Sequence, residues 1–303
     1  MPALKHTSLG ILLKVGAVAA FSIMYVAIRL AQPAPIGEVI FFRGFFALVP
    51  LIAVSFFTNG PQSLIRTAHP WLHLRRSVAG TASMFLNFAA VTRLPLADIT
   101  AFSFVAPIFA TVLAALLLHE NVGPHRAAAV VVGFGGVLLM AAPHGFSGLT
   151  IATGSSLGAT FAISGAMLSA FVVVFIRQMS GTEHSEAIVF YFMVVCAAAG
   201  AVTMLWEHIT FEPTALIWLT MTGILGGIGQ VCMTYSYRYA EPSLLASFDY
   251  TAMIWAVAFG YFVFAEVPEK IVLGGAGVVI VSGLYIVWRE RLRHLPITEM
   301  PGL

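Results

Sequence analysis

Long apolar runs, broken by short clusters of proline and polar residues, recur from one end of the chain to the other. The runs are continuous, not alternating, which is the pattern of helices surrounded by apolar material and not of β-barrel strands. A helix needs roughly 20 mainly apolar residues to cross a bilayer. Ten segments approach that length: 8–30, 37–57, 71–92, 95–118, 124–142, 154–177, 185–206, 214–239, 242–264 and 270–289. They are separated by Gln32-Pro33-Ala34-Pro35, Thr58-Asn59-Gly60-Pro61, Gly123-Pro124, Pro143-His144-Gly145 and Val267-Pro268, among others. Proline suits the first turn of a helix, where its missing N–H costs nothing. No connection is long enough for a soluble domain.

Composition supports the same solvent. The 303 residues are 59% hydrophobic and only 9% charged, against about 25% charged in an ordinary soluble domain. The net charge of +2 gives no electrostatic case for nucleic acid. Cys196 and Cys232 lie far apart in apolar segments and read as small core residues. Lys5 and Lys14 precede the first apolar run, but no cleavage site followed by a soluble domain is visible, so the run reads as a first span and not a signal peptide.

Charge in the connections predicts orientation. With the N-terminus in the cytoplasm, the inner set holds Lys5, Lys14, Arg66, Arg75, Arg76, Arg126, Arg177, Arg238, Arg289, Arg291 and Arg293. The outer set holds Arg29, Arg93 and Lys270. Eleven against three is a positive-inside bias, and an even span count puts both termini in the cytoplasm.

The chain also repeats itself. "GTASMFLNFAAVTRLP" (80–95) aligns with "GIGQVCMTYSYRYAEP" (227–242), glycine on glycine and proline on proline, at an offset of 147. After one gap "ATVLAALLLHE" (110–120) matches "AVAFGYFVFAE" (256–266), and Glu38 faces Glu186. Each half, 1–148 and 149–303, holds five predicted spans. Five is odd, so the second half enters the membrane from the opposite side, the inverted plan of many secondary transporters. Arg75 and Arg76 open the third span, whereas the matching start of the eighth, Thr222-Gly223, is uncharged.

Ten spans in two halves, Pro107 inside the fourth, Glu120 at its end and then "GFGGVLL" (133–139) resemble the EamA-type drug/metabolite transporter superfamily. Within it, "FFRGFFAL" (41–48), "HLRRSVAG" (73–80) and "FSFVAPIFATVLAALLLHE" (102–120) are similar to bacterial members associated with riboflavin or S-adenosylmethionine uptake. The resemblance implies an all-α membrane fold with a central cavity among spans 1, 3, 4, 6, 8 and 9. One departure stands out: the second-half position matching Pro107 falls near Met253, so the two halves need not kink alike.

Candidate site residues are those whose polarity is costly in lipid. Arg43 lies about 9 Å along its span at 1.5 Å per residue, where an ionised group costs something like 3 kcal/mol on insertion scales. Glu38, five residues away, sits off its helical face, so Asp98 is the expected partner. Arg43 is then either an anchor for an anionic or carbonyl-rich substrate or half of a permanent ion pair. Asp98 and Asp249 are the carboxylates deepest in apolar helices and the candidates for proton coupling, or else for capping and packing. Glu120 and Glu266 precede helix breaks and read as structural, paired with cations or loop N–H groups. Glu38 and Glu186, near span starts, read the same way. The nine histidines sit in tails or toward span ends, which argues against an imidazole relay, and no ligand spacing suggests a metal.

Asn87, Phe102, Gln230, Tyr235 and Tyr250, with Ser103, Phe104, Thr234, Tyr237, Phe248 and Trp255, form a polar and aromatic set expected to line a cavity and stack on a flat substrate. Pro107 is expected to loosen the fourth helix as a gate. "GILGGIGQ" (223–230) lacks the strand and Lys-Ser/Thr of a phosphate loop, so Gly223 and Gly227, like Gly154 and Gly158, read as sites of close helix packing.

The resulting expectation is a secondary transporter without cofactor or metal, moving a small polar or aromatic metabolite across the bacterial inner membrane by alternating access. Riboflavin uptake is the specific expectation. Export of amino acids, drugs or other metabolites and S-adenosylmethionine transport are the alternatives. The partners are the small-molecule substrate and the lipid bilayer, with no nucleic acid; a homodimer is left open. An intramembrane enzyme would need a nucleophile–base pair or metal constellation that the sequence lacks, and a scaffold has no reason to carry buried charge.

Overall fold

A computed structural model describes residues 2–58, 60–117, 124–144, 154–179, 182–206, 212–239, 245 and 248–294. The described residues are helical without strands. The helices are α1 (Pro2–Leu30), α2 (Ile36–Phe57), the single turn α3 (Gln62–Ile65), α4 (Pro70–Val91), α5 (Leu96–Ser103), α6 (Ala106–Leu117), α7 (Pro124–Ala141), α8 (Gly154–Met179), α9 (Ser185–Thr203), α10 (Pro213–Tyr239), α11 (Thr251–Phe264) and α12 (Lys270–His294). A helix stands at each of the ten predicted segments. Glu120, His119, His208, Pro242 and the boundary at 148/149 lie outside the described residues.

Five stretches are long and apolar enough to cross a membrane: Ser8–Leu30, Ile36–Phe57, Ser156–Ile176, Ser185–Thr203 and Pro213–Ser236. Leu96–Ala110, Ala127–Ala141, Thr251–Phe264 and Lys270–Tyr285 are shorter apolar stretches. α4 is absent from both groups because His73, Arg75, Arg76 and Asn87 dilute it. Large apolar side chains face outward: Phe57 is 89% exposed, Phe262 82% and Val131 71%. Such a surface suits hydrocarbon and not water.

The fourth segment is broken. α5 ends at Ser103, Phe104 and Val105 form a turn, and Pro107 occupies the second position of α6. Proline has no N–H to return to the carbonyl four residues back and crowds the preceding turn, so it fits best in the first turn of a helix and weakens an interior, although α2 runs through Pro50.

α1 packs on α10, α2 on α9 and α10, α4 on α8 and α9, α7 on α12, α6 on α8, and α5 and α1 on α11. Glycines set the closest approaches and reveal direction. A Cβ on Gly44 would lie 2.5 Å from the Ala197 nitrogen and 2.8 Å from the Met193 carbonyl, and one on Gly200 would lie 2.7 Å from the Gly37 carbonyl. As α2 advances from Gly37 to Gly44, its neighbours on α9 retreat from Gly200 to Met193, so the two helices are antiparallel. Gly136 meets Gly275, Val278 and Val279, while Gly133 meets Ser282, so α7 and α12 are antiparallel as well. Gly223 lies against Phe42 and Phe46, and Gly227 against Ala47 and Pro50, so α2 and α10 run parallel. These are the close-packing roles expected of Gly223 and Gly227; Gly158 likewise packs on Leu94.

Gly44→Ala and Gly200→Ala each place a methyl against backbone, which cannot rotate away. Each is expected to cost roughly 1–3 kcal/mol in thermal unfolding of the purified protein. Gly16→Ala, with nothing within 4 Å of the added methyl, should leave the midpoint unchanged. Equal midpoints for all three would show that α2 and α9 have room to spare.

Candidate functional site

Arg43 is 2% exposed and sits where α2 meets α1, α9 and α10. Its Nε donates to the Met24 sulfur (3.2 Å), Nη1 to the Met193 sulfur (3.3 Å) and Nη2 to the Gly226 carbonyl (3.2 Å). A Cβ on Gly226 would overlap the guanidinium, so that glycine provides the space the charge occupies. The expected Arg43–Asp98 pair does not form. Asp98 lies on α5, third from its start, 3% exposed, and Arg43 reaches the other way, toward α9 and α10. Two thioethers and one carbonyl are weak acceptors for a full charge.

Sequence reasoning missed a second buried guanidinium. Arg76, counted above among loop cations, lies seven residues into α4 and is 4% exposed. It stacks on the Phe192 ring at 4.0 Å, and its Nε and Nη1 have no hydrogen-bond partner. Gly80, one turn on, also meets Phe192, and Thr81 Oγ1 lies 3.2 Å from the Cys196 sulfur. The signal was the adjacency of Arg75 and Arg76: on a helix two consecutive residues point about 100° apart, so one of them turns inward.

Lys14 was also read as a loop cation. Its side chain is fully buried on α1 and pairs with Asp249 at 2.7 Å. Removing Lys14 and Arg76 from the inner set leaves nine cations against three.

The other expected residues fall at separate helix contacts. Asn87 donates to the Ser83 carbonyl (2.8 Å) and lies against Gly165 of α8. Phe102 is fully buried in the core. Tyr235 reaches the Glu186 carboxylate at 3.5 Å. Gln230, on α10, is half-buried. Tyr250 packs edge-on against Phe104 at 5.1 Å and places its hydroxyl beside Gly283 of α12. Among the described residues these side chains make their contacts at separate helix pairs. A small cavity lies between α1, α5 and α11, lined by Ser22, Tyr25, Leu96, Thr100 and Ala256.

Two glutamates staple the ends of the bundle. Glu266 pairs with Arg29 at the end of α1 and accepts the Leu96 N–H (3.1 Å) at the start of α5, as its expected structural role requires. Leu96 also lines the cavity, so this staple closes it from that side. At the other end, Glu183 Oε1 accepts from the Ala68 N–H (2.9 Å), the His69 N–H (2.8 Å) and Thr67 Oγ1 (3.1 Å), while Oε2 lies 3.1 Å from His73 Nε2. Burial pushes the Glu183 carboxyl up, but the bonds from His73, Ala68, His69 and Thr67 together hold it below its ordinary value.

A bundle of apolar helices with large hydrophobic side chains facing outward and charged side chains buried among them defines a multi-pass membrane protein. A profile of the EamA-like transporter family matches residues 8–142 and 156–288, and the chain belongs to that family. It is 27% identical over 276 residues to the pseudopaline exporter of Pseudomonas aeruginosa, covering 90% of this chain and 94% of that one. It is 25% identical over 254 residues to the S-adenosylmethionine uptake transporter of Rickettsia prowazekii, covering 84% and 83%. A solved crystal structure superposes with a TM-score of 0.66 at 17% identity, over 95% of this chain and 99% of the other, which is a likeness of fold. These relatives are named as transporters and not as enzymes.

Glu183→Gln should lower stability by about 2 kcal/mol at neutral pH, the scale of charge-assisted bonds lost. A carboxyl held low in the folded state stabilises above its unfolded pKa, and that contribution disappears as pH falls through the folded value. The gap between wild type and Glu183→Gln, read by thermal unfolding across pH, should therefore close in acid. A gap constant with pH would show that the carboxylate charge contributes nothing.

Proposed function

We propose that the chain is a secondary active transporter of a small polar metabolite in the bacterial inner membrane, crossing it ten times as two inverted five-helix repeats, 1–148 and 149–303, with both termini cytoplasmic. The observation that carries this reading is the burial of Arg43 at the junction of the two halves without a carboxylate partner.

Several features support the topology. Exchanging each helix for its equivalent in the other half maps the packing onto itself: α1 on α10 becomes α8 on α4, and α2 on α10 becomes α9 on α4. α2 and α9 are equivalents and antiparallel, as are α7 and α12, which is what an inverted repeat requires. The Arg29–Glu266–Leu96 staple would then lie at the outer face and the Glu183–His73 staple at the inner one. Parting either staple would then loosen the bundle at one face while the other stays tied. The break at Phe104–Val105, followed by Pro107, gives α5 and α6 a joint at which to bend.

Asp249, paired with Lys14, is the favoured coupling group. Protonating the carboxylate would release a buried cation and so change the relation of α1 to α11. Asp98 is the second candidate. Family membership carries no direction, since one named relative exports and another takes up its cargo. Riboflavin rested on a family resemblance and on an aromatic lining, and the relatives named above carry other cargo, so it enters the test as one candidate among several.

The purified chain in proteoliposomes should exchange at least one of riboflavin, S-adenosylmethionine, amino acids or organic acids by counterflow. Asp249→Asn should flatten the pH dependence of net flux while leaving exchange largely intact. No flux across the panel with correctly folded protein would overturn the transporter reading. An unchanged pH profile in both Asp249→Asn and Asp98→Asn would remove proton coupling.

A further inference from the structure

Arg43 and Arg76 bracket one stretch of α9: the first touches Met193 and the second its neighbour Phe192. Cys196, one turn on, lies in the field of both guanidiniums. α4 runs parallel to α9, because Arg76 and Gly80 meet Phe192 while Thr81 meets Cys196. α2 runs antiparallel to α9, so the two arginines enter this region from opposite ends of the bundle. Gly44 is level with Met193–Ala197 and Gly80 with Phe192. At 1.5 Å per residue the backbones of Arg43 and Arg76 are therefore offset by about 10 Å along the bundle.

Among the described residues neither of these two buried cations has a carboxylate partner. Among the described residues the ion pairs are Lys14–Asp249, Arg29–Glu266 and His73–Glu183, none of which includes either arginine. Glu38 and Glu186 are buried on α2 and α9, but neither forms an ion pair with Arg43 or Arg76, and Glu186 accepts from Tyr235. Removing a charge from water without a partner is among the costliest arrangements in a folded protein. Two of the Arg76 donors, Nε and Nη1, have nothing to receive them. A guanidinium can turn two parallel N–H groups toward a carboxylate, which a single ammonium cannot.

We propose that Arg43 and Arg76 form a two-point anion site at the junction of the repeats, and that the cargo is an organic dianion with one carboxylate held by each guanidinium. This deepens, and rests on, the transporter reading above. In the proposed orientation Arg43 lies toward the outer face and Arg76 toward the inner one. A dicarboxylate spanning them would be engaged by one arginine on entry and by both when occluded, then released past the other. The site favours an anionic cargo over neutral riboflavin.

The test uses the full chain in phosphatidylcholine nanodiscs, with thermal unfolding as the readout. The probes are succinate, glutarate and adipate, with acetate, neutral succinamide and glycerol 3-phosphate as controls. At least one dicarboxylate should raise the wild-type midpoint saturably, while acetate and succinamide should not. Arg43→Gln and Arg76→Gln should each weaken its apparent affinity at least tenfold. Without ligand, Arg76→Gln should unfold at or above the wild-type midpoint, because it removes an uncompensated charge; a purely structural arginine would give the opposite shift. Arg76→Lys keeps the charge but loses the fork, and it should bind more weakly than wild type even if the glutamine variant fails to fold. No shift with any dicarboxylate, or shifts unchanged in the variants, would overturn the proposal, and a response to glycerol 3-phosphate alone would overturn the carboxylate assignment. Counterflow of a neutral or cationic cargo without a dicarboxylate response would sink the anion site and leave the transporter reading standing. Dicarboxylate binding without any flux would do the reverse.

Discussion

Hydrocarbon offers no hydrogen bonds, so every ionised side chain on a lipid-embedded helix must be turned toward protein. In this chain that constraint marks the seam between the halves. Arg43 reaches Met193 and Gly226, Arg76 stacks on Phe192, Lys14 pairs with Asp249, Arg29 with Glu266, and His73 with Glu183. Each of these contacts crosses from the first 148 residues to the rest. The outward faces carry Phe57, Val131 and Phe262 instead. A seam joined by charge can exchange its partners for water or solute, whereas a purely oily seam would lose its burial and gain nothing on wetting.

Glycine does the opposite work. Gly44 and Gly200 bring α2 and α9 to backbone contact, and Gly136 and Gly275 do the same for α7 and α12. Close approach of this kind gives van der Waals packing that lipid cannot replace. In the proposed inverted arrangement both pairs would join equivalent helices and lie near the axis that relates the two repeats. Elements near such an axis move least when the halves rock. The tight pairs can remain together while the charged seam opens beside them.

Helix positions were legible because apolar length is written directly in composition. A weak point in the fourth segment was legible at Pro107, which removes a backbone hydrogen bond and crowds the preceding turn, but the full break at Phe104–Val105 was not. Tertiary partners were not. Arg43 was expected to face a wet cavity or a carboxylate, with Asp98 the candidate; it turns instead to two methionine sulfurs and a backbone carbonyl, since nothing local says which way a side chain turns at a four-helix junction. The space for its guanidinium comes from Gly226, 183 positions away. Arg76 and Lys14 were misread for one shared reason: cations near a span end look like loop cations unless the facing helix is known. Glu183 went unnoticed because its role depends on four donors from residues 67–73, brought to it only by folding.

The two staples differ in what they hold. Glu183 gathers two backbone N–H groups, a hydroxyl and an imidazole at the start of α4, and its side chain is 1% exposed. Glu266 holds one cation and one N–H, and its side chain is 18% exposed, with Arg29 at 22%. Solvent already reaches the second staple, so breaking it strands fewer donors and lets water replace them at once. Leu96, which that staple fixes, lines the cavity beside Tyr25 and Thr100. Parting it therefore opens directly onto existing space, while parting the Glu183 staple would first uncap α4. In the proposed orientation the outer staple is therefore the easier of the two to part.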